Sequence, residues 1–281
     1  MIKQRRDCAI ATAIMGLAFT PPSLGSAAPA AEATARTANV PYVGCASDGQ
    51  LGPQPPPKRS KPTPRLPAPV ASRLAYYAAV NNGVLAPRGW HCFSLYGSSG
   101  TTVLVAPDPF DVKHVFDRKF KLSGDAVEFG YLLGGTSGRF EVAQVASTFF
   151  PVARDFVNAV AKEEKEIGLP FDLSGKDFRK DRIVNRTNKT ARLVTPAGQQ
   201  GWGTRDRLAA NETPIEGLAV LITDEPAYPD LIELNLRLPQ KDRDLVAVIQ
   251  SVAEANRGNP LSDTPLRGLP EEGTAGHRRP R

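Results

Sequence analysis

Apolar and polar residues alternate along segment 231–239, and together with the apolar segment 215–223 it is the most convincing strand prediction in the chain. This two-residue period is typical of β-strands. Segments 90–97 and 101–107 also have strand composition, and the Ser-Ser-Gly between them predicts a hairpin. A further strand is predicted over 125–133. The segments on either side of Asn188 predict a second hairpin.

The remaining periodic segments have the spacing of helices. The pattern predicts a short helix over 71–83 that ends at Gly83, and a helix over 139–150 followed by a second helical run from Pro151 to about 167. A final amphipathic helix is predicted over 243–256. Hairpin-linked strands with helices between and after them predict an α+β fold, an antiparallel sheet of hairpin-linked strands covered by helices.

The first thirty residues have the pattern of a secretory signal peptide. Lys3, Arg5 and Arg6 precede a run of twelve mostly apolar residues and then a small-residue stretch, with cleavage expected after Ala30. The run is shorter than the roughly twenty residues that a membrane-spanning helix needs. We therefore expect a periplasmic or secreted protein that does not span a membrane.

Proline content and charge divide the rest of the chain. Residues 31–71 are predicted to form an extended Pro-rich strap, 72–256 a single globular domain, and 257–281 a disordered basic tail. The formal charge is +6, with basic residues clustered in the strap and the tail. These termini either are simply solvated or make weak contact with an anionic surface. Nucleic acid is not expected as a partner, because the compartment and the motifs argue against it. The strap's basic residues are Lys58, Arg59, Lys61 and Arg65.

The three cysteines reduce to a pair after export, because Cys8 belongs to the signal peptide. An even pair in an oxidising compartment predicts a disulfide between Cys45 and Cys92. The alternative is a reactive thiol, since His91 precedes Cys92 directly. Successive side chains of a strand point to opposite faces, however, so this His and Cys diverge and do not form a nucleophile and base.

Three stretches carry a resemblance to known proteins: PYVGCASDGQLGP, LAPRGWHCF and GGTSGRF. Through them the chain resembles a set of exported proteobacterial proteins of unknown function, which implies no activity, cofactor or site. The Gly-Trp entry to the first hairpin, the late paired strands and the C-terminal helix are also similar to PsbP-type domains. That likeness implies an accessory or binding module that is mostly non-enzymatic.

The sequence lacks most residues that catalysis and metal binding require. The exported chain keeps only His91, His114 and His277, which is too few for a zinc site of ordinary spacing, and we expect no metal and no cofactor. The nucleophile-elbow motif is absent too. A dispersed triad, with Ser99 or Ser137 as nucleophile and a histidine as base, stays open.

Carboxylates offer a second catalytic possibility, the acid and base of a glycosidase. Glu163, Glu164 and Glu166 lie on a charged helix face, where solvated ion pairs are expected. Glu128, within an apolar strand, is the single carboxylate that the sequence predicts to be partly buried. One buried carboxylate does not make a pair.

Two loops are candidates for ligand binding. In the Gly-rich segment 132–140, Ser137 and Arg139 either hold an anion at the start of a helix or, in the case of Ser137, cap that helix. In segment 196–207, Trp202 lies between two glycines. It either covers the core or stacks on a sugar or partner, with Arg205 beside it.

These observations predict a non-catalytic exported domain that binds a ligand or partner of the cell envelope, such as an envelope protein or a wall polymer. The alternative is an envelope hydrolase with a dispersed Ser/His or carboxylate site. The two differ in what they require of His91 and His114, because a Ser/His hydrolase needs one of them beside a serine or a carboxylate in a cleft.

Overall fold

The computed structural model describes residues 36–59, 63–80, 82–117, 119–168, 173 and 176–255. The predicted signal peptide and the predicted basic tail lie outside these residues. Lys61 and His277 lie outside them too. Among the helices that are described, none is both long and apolar enough to cross a membrane.

Within the described residues the chain forms thirteen strands and four α-helices, with short 3₁₀ turns between some of them. The strands are β1 (Thr37–Asn39), β2 (Tyr42–Gly44), β3 (Ala46–Gly49), β4 (Arg65–Pro67), β5 (Leu74–Ala78), β6 (Gly83–Pro87), β7 (His91–Gly97), β8 (Gly100–Ala106), β9 (Ala126–Leu132), β10 (Arg182–Arg186), β11 (Thr190–Thr195), β12 (Ile215–Ile222) and β13 (Asp230–Arg237). The helices are α1 (Ala68–Ala71), α2 (Arg139–Phe149), α3 (Arg154–Ile167) and α4 (Val246–Ala255).

Eight strands form the main sheet, in the order β10-β11-β12-β13-β9-β8-β7-β3. Every neighbouring pair is antiparallel except β3 and β7. A three-stranded sheet, β2-β5-β6, and the pair β1-β4 complete the fold. The predicted α+β class, with largely antiparallel sheets and helices, is confirmed.

One face of the main sheet is covered by a continuous apolar layer. Helix α4 and strands β5 and β6 pack on it and bury alternate residues of the central strands. Val105, Phe129 and Leu234 belong to this layer, and each is at most 4% exposed. Because side chains alternate along a strand, the neighbouring residues of β8, β9 and β13 face the other way.

The opposite face is covered by two separate apolar groups. Helices α2 and α3 pack over one part of it, around Phe149 and Phe156. The segment that follows β8 packs over another part, through Val115 and partly buried residues such as Phe110 and Leu122. Between the two groups the central strands β9 and β13 carry polar side chains. The candidate site described below lies in this gap.

The predicted helix over 71–83 is wrong. Helix α1 ends at Ala71, where the predicted helix was to begin, and residues 74–78 form β5, paired in a hairpin with β6. All five residues of β5 are buried, so the strand has no polar face and does not alternate. A short continuous apolar run of this kind has the same pattern in a buried strand as in a buried helix.

The other predicted elements agree with the structure. The Ser-Ser-Gly hairpin joins β7 to β8, and the second hairpin joins β10 to β11 around Asn188. The predicted 139–150, 151–167 and 243–256 helices correspond to α2, α3 and α4, the last two each preceded by a 3₁₀ turn. The described part of the Pro-rich segment supplies β4, which pairs with β1.

The predicted disulfide is confirmed. Cys45 and Cys92 are bonded, with their Cα atoms 5.3 Å apart and 47 positions apart in sequence. The bond lies next to the first paired residues of β3 and β7, Ala46 and Phe93. A tight turn cannot connect parallel strands. The disulfide therefore attaches the edge strand β3 to the sheet where no hairpin can.

We predict that replacing both cysteines, Cys45→Ala with Cys92→Ala, lowers the free energy of unfolding by on the order of 4 kcal/mol, because the loop closed by the bond is long. Urea denaturation of the oxidised wild type and the variant measures the difference. Mass spectrometry without reductant should find one intramolecular bond in the wild type. Two free thiols, or equal stabilities, would contradict the prediction.

Candidate functional site

A cavity of about 510 Å³ lies in the gap on the second face of the main sheet. Strands β7, β8, β9 and β13 form its floor, and helix α2 and the segment 205–207 form its walls. Its volume is in the range of small-molecule sites. Most of the side chains that line it are polar or charged: Tyr96, Ser99, Thr101, Thr102, Glu128, Glu141, Gln144, Arg205, Asp206, Arg207, Glu233 and Asn235.

The floor is polar because of the register of two central strands. Asn235 of β13 lies opposite Glu128 of β9, and Glu233 lies opposite Gly130. Residues two apart on a strand share a face, so all four positions face the cavity. A Cβ atom added at Gly130 would lie no closer than 3.6 Å to any neighbouring atom. The glycine leaves open space beside the two carboxyl groups.

An ion pair joins the wall of the cavity to its floor. Arg205 donates through Nη2 to Oε1 of Glu233, and both side chains are largely buried. The guanidinium also donates through Nη1 to the Gln144 amide oxygen of α2, 3.3 Å away. The ion pair therefore connects three elements, the 205–207 segment, β13 and α2.

Glu128 is held by neutral and acidic neighbours. The backbone N–H of Arg207 donates to its Oε1 at 3.0 Å, and the Asn235 amide contacts its Oε2 at 3.4 Å. Burial raises the pKa of Glu128 well above its ordinary value, and the nearby Asp206 carboxyl raises it further. Both effects favour the protonated form of Glu128.

Glu233 titrates close to neutrality. Burial raises its pKa to about 7, although the adjacent positive charge of Arg205 acts in the opposite direction. The floor thus combines two carboxyl groups whose pKa values are raised by burial, that of Glu233 to about 7. Such a pair can donate and accept hydrogen bonds to a ligand, and it can also exchange protons with one.

Asn235 has an unused acceptor on the cavity floor. The residue is 3% exposed, and its Oδ1 has no hydrogen-bond partner among the described residues. A buried polar atom without a partner costs free energy, about 1–3 kcal/mol in mutational data. A donor from a bound ligand would remove that cost.

Trp202 covers the core and does not stack at the surface. It is 1% exposed, and its ring packs edge-on against Phe149 and tilted against Phe178. The guanidinium of Arg205 lies 5.5 Å from the ring centroid. The structure therefore agrees with the first of the two sequence-based alternatives, in which Trp202 covers the core. Arg205, predicted beside it, does line the cavity.

Ser137 and Arg139 do not line the cavity. Arg139 pairs with Glu163 and thereby joins α2 to α3, and it also donates to the Thr136 carbonyl at 2.7 Å. The Ser137 hydroxyl lies 2.8 Å from that of Ser98. The residue that caps α2 is Gly138, without a side-chain bond, so Ser137 is not the N-cap.

Both described histidines are at the surface. His91 is exposed at the start of β7, and His114 is exposed and paired with Asp111. Neither lines the cavity. No group of three His, Cys, Asp or Glu side chains within the described ranges is arranged to hold a metal ion.

Sequence reasoning identified Glu128 but missed Glu233 and Asn235. The strand that carries them was predicted, but its alternate polar residues were not assigned to a site. Arg237 continues the same series of alternate polar residues along the strand. It is fully buried and donates to three backbone carbonyls. Whether a polar strand face meets water depends on what packs over it, which the strand's own sequence does not contain.

The chain matches no protein-family model, and neither a curated protein nor a solved structure is significantly similar to it. The resemblances drawn from the sequence therefore stay predictions. What the cavity does has to be argued from its own chemistry.

We predict that the free energy of unfolding falls as the pH rises from about 4.5 to about 7. A carboxyl with a raised pKa binds its proton more tightly in the folded state, so its stabilising contribution is complete below the ordinary pKa and is lost as the pH rises through the folded value. Over the pH range in which only the folded state binds this proton, the free energy of unfolding falls by about 1.4 kcal/mol per pH unit. Urea denaturation across this range measures the decline.

The Glu128→Gln variant should show a smaller decline, because glutamine resembles the protonated acid and cannot lose the proton. Glu212→Gln, at an exposed loop position, is the matched control and should retain the wild-type slope. Equal slopes in the wild type and in Glu128→Gln would show that Glu128 does not hold its proton.

Proposed function

We propose that the chain is an exported, non-catalytic binding protein of the cell envelope, and that its ligand occupies the cavity over β9 and β13. The ligand is a small polar molecule, or a polar group of an envelope protein or wall polymer. The observation that carries the proposal is the unpartnered Oδ1 of Asn235, buried on the floor of a cavity of ligand size.

Several features of the floor support binding. Glu128, Glu233 and Asn235 lie on strands in the middle of an eight-stranded sheet, which holds their positions rigidly. Placing two carboxyl groups in this interior costs stability, because desolvation opposes their ionisation. A protein gains nothing in stability from such an arrangement, and binding gives it a function.

The disulfide supports the proposed compartment. Structural disulfides persist in oxidising environments and are rare in the cytosol. The bond between Cys45 and Cys92 is therefore the feature expected of a periplasmic or secreted protein. The signal-like first thirty residues agree with it.

We predict that Gly130→Val abolishes ligand binding while leaving the fold intact. The valine methyl groups would project into the cavity beside Glu233, and valine is favourable in a strand. Thermal unfolding of the wild type, measured in the presence of sugars, amines, amino acids and organic acids in turn, should identify a solute that stabilises it. A ligand at about a hundred times its Kd contributes about 2.7 kcal/mol.

Gly124→Val is the matched control, because a Cβ there would meet nothing within 4 Å and the residue does not line the cavity. It should respond to the ligand like the wild type. Ligand stabilisation that persists undiminished in Gly130→Val would place binding elsewhere and refute the proposal.

A carboxylate hydrolase is the second candidate function. Glu128, whose pKa is raised well above its ordinary value, and Glu233, whose pKa is raised to about 7, share one cavity, and such a pair of carboxyl groups can serve in acid and base catalysis. Against it, Arg205 engages the Oε1 atom of Glu233, which hinders Glu233 as a general base. The surface positions of His91 and His114 remove the main support for a Ser/His site.

The binding proposal predicts no turnover of fluorogenic glycosides at pH 5 to 8 above the rate of a heat-denatured sample. A measurable rate that falls about a hundredfold or more in both Glu128→Gln and Glu233→Gln would favour the hydrolase, because general acid and base groups each contribute about that much. Gly124→Val again serves as the control that should not change the rate.

A further inference from the structure

We propose that the ligand of the cavity carries a primary ammonium group, which binds between Glu128, Glu233 and the free amide oxygen of Asn235. This inference rests on the proposed function and specifies its ligand class. It follows from the charges, the unused hydrogen-bond acceptors and the shape of the cavity.

The cavity contains more acidic than basic groups. Four acidic side chains line it, against the two arginines Arg205 and Arg207. Both arginines already have partners. Arg205 bonds Glu233 and Gln144, and Arg207 donates to the carbonyls of Val115 and Asp117 and lies 3.4 Å from Asp206. The positive charges are thus committed to the protein itself.

Two buried polar atoms of the cavity-lining residues have no hydrogen-bond partner among the described residues: an acceptor on the floor, Oδ1 of Asn235, and a donor in the wall, Nε of Arg207, which lies 3.4 Å from the Asp206 carboxylate. Oδ1 of Asn235 has no donor among the described residues, and it lies on the strand beside the carboxyl of Glu128. An ammonium group has three N–H donors and no acceptor, so it complements this set. A ligand anion would bring further acceptors to this set and supply no donor.

A bare metal ion fits less well than an organic cation. Within the described residues no three candidate ligands are arranged for a metal, and the cavity is far larger than an ion requires. Part of its lining is apolar, including Leu95, Leu132 and Phe116, whose side chain is 49% exposed. These residues can cover the carbon skeleton of an organic ligand, and an aromatic ring near a cation adds attraction.

Proton exchange provides a signature of this binding mode. An ammonium group next to Glu128 favours the ionised carboxylate, so the group loses its proton when the ligand binds. Hydrogen bonding to a neutral ligand does not require that loss. Binding enthalpies measured in two buffers of different ionisation enthalpy report the number of protons released.

Isothermal titration calorimetry of the oxidised full-length protein with three four-carbon probes tests the inference: putrescine, butanediol and succinate. They share a chain length and differ in having ammonium, hydroxyl or carboxylate ends. Glucosamine and N-acetylglucosamine form a second matched pair for the larger volume. We expect putrescine or glucosamine to bind with proton release, and their neutral and anionic counterparts to bind at least tenfold more weakly, about the effect of one hydrogen bond to a charged group.

The Glu128→Gln variant should weaken binding of the ammonium probe by about tenfold or more, because it removes the charge and keeps the shape. Glu216→Gln is the matched control, since Glu216 belongs to the same sheet but does not line this cavity. It should leave the affinity unchanged. Gly130→Val should abolish binding of every probe that occupies the cavity.

The outcomes separate this inference from the function on which it rests. Suppose that butanediol, N-acetylglucosamine or succinate binds as tightly as the amine and that Gly130→Val blocks this binding. The result would overturn the proposed ammonium ligand but retain the cavity as a binding site. No binding of either ammonium probe would also overturn the inference. Binding that Gly130→Val leaves intact would overturn both proposals.

Discussion

The buried ion pair between Arg205 and Glu233 is the interaction on which the site depends. It holds the segment 205–207 against the central strand β13, and that segment supplies the backbone N–H that bonds Glu128. The same segment begins just after Trp202, whose ring packs against Phe149 and Phe178 in the core and whose backbone N–H donates to the Asp181 carboxylate. The apolar core on one side and the polar floor on the other thus meet at Arg205. Breaking such a pair from one side leaves an uncompensated buried charge, which is strongly destabilising.

The main sheet has unequal coverage on its two faces, and this creates the cavity. On one face a continuous apolar layer covers the central strands. On the other, the α2 and α3 group and the group formed after β8 leave a gap above β9 and β13. Two apolar groups that met there would exclude the carboxyl groups of Glu128 and Glu233. Their separation allows polar side chains to line an interior space, and Gly130 keeps that space open.

The sequence predicts the fold better than the site because the two depend on different information. Period and turn residues identify β12, β13 and both hairpins, since these patterns are local. The disulfide follows from compartment and cysteine number. The segment 74–78 was wrongly predicted as a helix because a strand that is buried on both faces has no alternation of polar and apolar residues. The meeting of Glu128 and Asn235 depends on pairing across 107 positions of chain, which no local pattern encodes.

Carbon-13 NMR titration of the Glu128 and Glu233 carboxyl groups tests the central claim most directly, because it observes each proton at its own site. The account predicts that Glu128 titrates well above its ordinary value, that Glu233 titrates near 7, and that saturating putrescine lowers the pKa of Glu128. Titration of both groups at the ordinary value for glutamate, unchanged by the amine, would contradict it.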